Sequence, residues 1–123
     1  LVLGTGGASR AIRVGLQRLG IEWTYVSRTP APGRLTYADL TSELMEHYQV
    51  IVNCSPVGMF PRVDACPDIP YQLLTGRHLL YDLVYNPQET LFLKRGAERG
   101  AAVKNGLEML HLQALASWRF WNE

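Results

Sequence analysis

The chain opens Leu-Val-Leu-Gly-Thr-Gly-Gly-Ala-Ser-Arg-Ala-Ile: three apolar residues, a glycine-rich turn, then an amphipathic stretch. No other feature restricts the fold as strongly. A strand that turns through glycines directly into a helix aims that helix's unpaired N–H groups, and its positive dipole end, at one spot. Gly4 permits the tight turn and Gly6 lets a phosphate approach the backbone, while Gly7 and Ala8 keep the helix start narrow. The match to G-x-G-x-x-G is incomplete, because Ser9 stands where the third glycine would be. A purely structural turn would use the same residues. Its position after an apolar strand and before a helix favours dinucleotide binding.

Further along, short apolar runs alternate with segments whose apolar residues recur three or four apart. The spacing predicts helices over residues 8–19, about 41–48, 90–99 and 107–121, and strands over 1–3, 22–27, 35–37, 49–54, 78–85 and 101–104. In the first helix Ala11, Ile12, Gly15, Leu16 and Leu19 form one apolar face, and Thr41 and Gly20 read as a helix cap and a helix stop. Residues 55–70 are too rich in proline for regular structure. This alternation implies an α/β fold, a Rossmann-like doubly wound parallel sheet in a single domain. Ligands of such sheets lie at the carboxyl ends of the strands, which selects the loops at 4–8, 27–34, 53–59, 85–87 and 105–106.

The end of the second strand addresses which dinucleotide is bound. NAD sites usually carry Asp or Glu there for the ribose 2′-hydroxyl, whereas an Arg accommodates the 2′-phosphate of NADP. This chain has Ser27-Arg28-Thr29 and no carboxylate, so NADP is expected.

Composition excludes several other classes. The 123 residues suit one domain, and a net charge of +1 with scattered arginines gives no general pull toward nucleic acid or anionic membrane. No apolar run approaches a membrane span and no signal segment is present, so a cytoplasmic protein is expected. Cys54 and Cys66 match no metal-site spacing, and two reduced thiols are favoured over a disulfide. A buried parallel strand usually has about five or six residues. Only Leu1, Val2 and Leu3 precede the turn, so the sequence reads as a piece of a longer protein.

With "GTGGASRA" and "SRT", the stretches "NCSPVGM", "YDLVYNPQETLFL" and "NGLEMLHLQA" stand in an order that resembles the C-terminal, cofactor-binding domain of shikimate dehydrogenase. The resemblance covers nearly the whole chain. It implies NADPH-dependent, reversible reduction of 3-dehydroshikimate to shikimate in aromatic amino acid biosynthesis, and a substrate domain upstream that carries a catalytic Lys and Asp. It implies residues 1–105 as the NADP-binding domain and 106–123 as a helix packing toward that other domain, and leaves a homodimer open. Gly4, Thr5, Gly6, Gly7 and Ala8 then take the pyrophosphate, and Ser27, Arg28 and Thr29 the 2′-phosphate. Asn53, Cys54 and Ser55 line the cofactor, with 56–59 as the loop beyond. Leu83 and Gly106 meet the nicotinamide, and Tyr85 and Gln113 reach the substrate.

Two departures from the family pattern stand out. A second arginine common in the 2′-phosphate loop is replaced by Pro32, with Arg34 as a substitute from a shorter loop that lacks a helix. The "PRVDACP" stretch carries no readable function. No residue replaces the absent catalytic pair: Lys94 reads as solvated, Lys104 and His111 match no catalytic position, and His47 and His78 precede strands at the wrong edge. Asp82, inside a strand, reads as structural, and Met59 and Met109 as packing. The rival readings are an NAD-using quinate/shikimate dehydrogenase, a non-catalytic dinucleotide sensor and, least favoured for want of an acidic residue after the second strand, a methyltransferase.

Overall fold

A computed structural model describes residues 1–4, 7–58, 61–83 and 89–105. In chain order the elements are β1 (Val2–Leu3), α1 (Gly7–Arg18), β2 (Tyr25–Ser27), β3 (Arg34–Thr36), α2 (Ser42–His47), β4 (Val50–Asn53), β5 (Leu79–Asp82), α3 (Leu91–Glu98) and β6 (Ala102–Lys104). Single 3₁₀ turns occur at Tyr37–Asp39 and Tyr71–Leu73. The strands form one sheet in the order β3-β2-β1-β4-β5-β6, and every neighbouring pair is parallel. This is the doubly wound order, with the winding reversing between β1 and β4.

The central strands bury one apolar side chain after another. Leu3, Val26, Ile51 and Leu80 are fully buried, and Leu3 lies opposite Val26 as Ile51 lies opposite Leu80. Met45 from α2 and Phe92 and Leu93 from α3 close over them. Each such side chain is worth roughly 1.5–3 kcal/mol of burial. Helix α3 approaches closely because Gly96 has no side chain; a Cβ there would stand 2.5 Å from Leu80 Cδ2. Threonine hydroxyls start both later helices. Thr41 Oγ1 accepts from the Leu44 N–H and Thr90 Oγ1 from the Leu93 N–H, each at 3.3 Å.

Several expectations need correction. Residues 22–24 lie outside β2, and Tyr37 leaves β3 for a 3₁₀ turn. The apolar face expected of α1 is mostly outward: Ile12 and Leu16 are half-buried, whereas Ala11, Gly15 and Leu19 are exposed. That helix seats instead through Ser9, which is fully buried. A small residue is what close helix–sheet packing requires at that position. Val50, expected in a buried-type strand, is 49% exposed.

The helix missing between the second and third strands is an expectation the fold bears out. Parallel neighbours usually need a crossover of about a dozen residues or more, yet residues 28–33 suffice here. β2 and β3 have three residues each, so the chain has only a short distance to return from Ser27 to the level of Tyr25. Among the described residues no helix is long and apolar enough to cross a membrane. The predicted helix over 107–121 lies outside them.

Candidate functional site

The carboxyl ends of the central strands open onto a crevice of about 480 Å³, within the range of small-molecule sites. Gly4 forms its inner edge. Its φ is +98°, and a Cβ would lie 3.2 Å from Ser55 N and 3.3 Å from Ser55 Cα and Cβ. The turns that follow β1 and β4 therefore approach each other closely, and the positive φ together with this crowding favours glycine. Helix α1 begins three residues later, at Gly7, and includes Ala8. Thr5 and Gly6 lie outside the described residues.

The end of β2 forms one flank. Ser27, Arg28 and Thr29 all line the crevice, and the Ser27 hydroxyl donates to the Thr29 carbonyl at 2.7 Å, fixing the course of the strand end. Arg34, the first residue of β3, lines the same space. The loop shortened at Pro32 thus supplies a second guanidinium from a different position. Neither arginine has an ion-pair partner among the described residues. Tyr37 closes this flank; burial raises the pKa of its phenol, opposed by the charge of Arg28.

The opposite flank is the turn after β4, held by a buried polar network. Asn53 and Asp82 are register partners on β4 and β5, and both are fully buried. Asn53 Nδ2 donates to Asp82 Oδ1 at 3.2 Å and to the Val57 carbonyl at 3.3 Å. Its Oδ1 accepts from the Ser55 N–H at 3.1 Å and the Ser55 hydroxyl at 2.6 Å. Asp82 Oδ2 accepts from the Thr90 hydroxyl at 2.7 Å. Asn53 therefore sits behind the wall and positions Ser55, while Cys54, Ser55, Pro56 and Val57 face the crevice. The Cys54 thiol pKa is pushed up to about 12 by burial and by the nearby Asp82 charge, so it stays protonated at neutral pH. Asp82 is structural, as its place inside a strand predicts.

The far wall comes from the segment in which the sequence discloses no function. Cys66, Pro67 and Asp68 line the crevice there. Gly58 lets this segment fold back, since a Cβ at Gly58 would meet the Ala65 carbonyl oxygen at 3.1 Å. The Tyr71 hydroxyl anchors it by donating to the Pro67 carbonyl at 2.6 Å. Cys54 and Cys66 are both free thiols. The only sequence signal for this wall was its location, in a connection leaving the carboxyl end of a strand.

The remaining titratable candidates lie elsewhere. His78 is buried among the core elements; its Nε2 donates to the Met45 carbonyl at 2.7 Å and its Nδ1 accepts from the Thr75 N–H at 3.1 Å. His47 meets Glu22 on the surface at 2.9 Å, and Lys94 is exposed on α3. Leu83 follows β5, its N–H donating to the Asn53 carbonyl at 3.1 Å. Tyr85, Gly106, Gln113, Met59, Met109 and His111 lie outside the described residues.

A six-stranded parallel sheet in this order, with a glycine turn at its switch point, defines the chain as a Rossmann-like domain. Its sequence is 33% identical over 139 aligned positions to shikimate dehydrogenase (NADP(+)) of Desulforamulus reducens, covering 98% of this chain and 48% of that protein. The enzyme of the same name from Methanococcus aeolicus is 36% identical over 135 positions, with the same coverages. Among solved structures, shikimate 5-dehydrogenase of Thermus thermophilus, in complex with NADP(H) and shikimate, superposes with a TM-score of 0.77 at 31% identity, over 98% of this chain and 47% of that one. No family model matches. The chain belongs to the shikimate dehydrogenase family, where it corresponds to the C-terminal, NADP-binding domain. It spans about half the length of the curated relatives it matches.

Proposed function

We propose that this chain is the NADP-binding domain of a shikimate dehydrogenase, and that the crevice beside Gly4 takes the adenosine end and pyrophosphate of the cofactor. One observation carries the reading: two guanidiniums without ion-pair partners among the described residues, Arg28 and Arg34, open on the same crevice as the tight glycine turn at Gly4. The arginines hold the 2′-phosphate, with Ser27 and Thr29 beside it. Gly4, Thr5, Gly6, Gly7 and Ala8 hold the pyrophosphate through backbone N–H groups and the start of α1. Cys54 and Ser55 form the wall along which the dinucleotide runs, kept in place by Asn53.

When bound, the nicotinamide supplies the hydride for reversible reduction of 3-dehydroshikimate to shikimate. In this reading Leu83 and Gly106 orient its ring, and Tyr85 and Gln113 reach the substrate. The proton required at the carbonyl oxygen comes from a Lys and Asp in the other half of the enzyme. Cys54 is unsuited to that task, since its proton is held too tightly near neutral pH. Residues 1–105 then form the cofactor domain, and 106–123 the helix that meets the substrate domain.

Calorimetric titration with 2′,5′-ADP and 5′-AMP isolates the adenosine end. The wild-type chain prefers 2′,5′-ADP, and Arg28→Ala and Arg34→Ala each weaken it by about tenfold while leaving 5′-AMP within about twofold, as befits a charge-assisted contact. Equal affinity for the two nucleotides, or indifference to both substitutions, contradicts the reading.

A further inference from the structure

The crevice that holds the two arginines also holds a carboxylate. Asp68 lines it together with Cys66 and Pro67, in the same crevice as Arg28 and Arg34. The side chain is exposed, and no ion pair joins it to either arginine among the described residues. Tyr37, which also lines the crevice, lies within electrostatic reach of both Arg28 and Asp68. Asp68 therefore places a carboxylate in a space whose other charged groups, Arg28 and Arg34, attract phosphate.

We propose that Asp68 is a selectivity residue, whose carboxylate opposes the 2′-phosphate held by Arg28 and Arg34 and so narrows the preference of this chain for NADP(H) over NAD(H). The inference rests on the reading that the crevice takes the adenosine end of the cofactor. Its physical basis is the sign of the charges. The two dinucleotides differ in one phosphate monoester, which carries nearly two negative charges at neutral pH. Repulsion by a carboxylate in the same crevice weakens NADP(H) and leaves NAD(H) nearly untouched. Solvent in the open crevice limits the effect to about threefold to tenfold, and salt reduces it further.

The test compares NADPH and NADH affinities of wild type, Asp68→Asn and Glu98→Gln by fluorescence titration at low and high ionic strength. Glu98 ends α3 at the opposite end of the sheet and serves as a control for net charge. Thermal melts verify that each variant folds. Asp68→Asn tightens NADPH about threefold to tenfold at low salt, changes NADH less than twofold, and loses most of the difference in about 0.5 M salt. Glu98→Gln leaves the ratio unchanged. If Asp68→Asn leaves the ratio where it was, weakens NADPH, or acts no more strongly than Glu98→Gln, the selectivity role is wrong while the cofactor reading stands. Should wild type bind neither dinucleotide, the cofactor reading itself fails, and this role with it.

Discussion

Cys54 shows how the crevice wall constrains a single side chain. Its thiol pKa rises from 9.0 to about 12, chiefly through burial and secondly through the charge of Asp82. The folded state holds the thiol neutral, so this contribution is fully present below pH 9 and is lost as pH climbs toward 12. The urea midpoint of the wild-type chain therefore falls more steeply between about pH 8 and pH 10.5 than that of Cys54→Ala. Tyr71, whose pKa burial also raises, is common to both proteins and cancels in the comparison; equal slopes contradict the account. At this scale the sequence disclosed Gly4, because its chemistry is local: a turn between strand and helix demands glycine wherever it occurs. The sequence pointed to Arg34, just beyond the shortened loop, as a second arginine for this region, and the structure sets it on the same crevice as Arg28. Cys66 and Asp68 were not legible, since they reach the crevice through the folding back of an aperiodic segment against Gly58, which leaves no pattern along the chain; nor was Tyr37, which enters from a 3₁₀ turn where a strand was expected.

Among the elements, the buried links from β4 to β5 to α3 decide where the crevice wall stands. Thr90 serves twice, accepting the Leu93 N–H as helix cap and donating to Asp82, which in turn accepts from Asn53. Thr90→Val keeps the shape and removes both bonds. Lost capping and a carboxylate short of one donor together cost about 2–3 kcal/mol, measured as a lowered urea midpoint with an unchanged m-value. A loss below about 0.5 kcal/mol would show that the network does not hold these elements together. Helix caps such as Thr41 were readable from residue type and the run that follows. The inward face of α1 was not: counting apolar residues selected Ala11, Gly15 and Leu19, whereas the sheet accepts Ser9, because close packing there favours small size over hydrophobicity. Strand ends shifted by one to three residues for a related reason. The neighbours available for pairing, rather than the apolar run itself, set where β2 and β3 begin and end.

For the whole molecule, the parallel sheet is what an alternation of strands and helices implies, and that alternation is visible in the sequence. The chain spans about half the length of the curated relatives it matches, and in the proposed reading its part is to hold the dinucleotide. Its described residues bring glycine turn, arginine pair and β4 turn to a single crevice. The most direct measurement is a titration of the 123-residue chain with NADPH and NADH, following nicotinamide fluorescence and calorimetric heat together. Saturable binding of one NADPH per chain, tighter than NADH, is the predicted result. Heat and fluorescence that show no association with either dinucleotide, by protein whose thermal melt is cooperative, would contradict it.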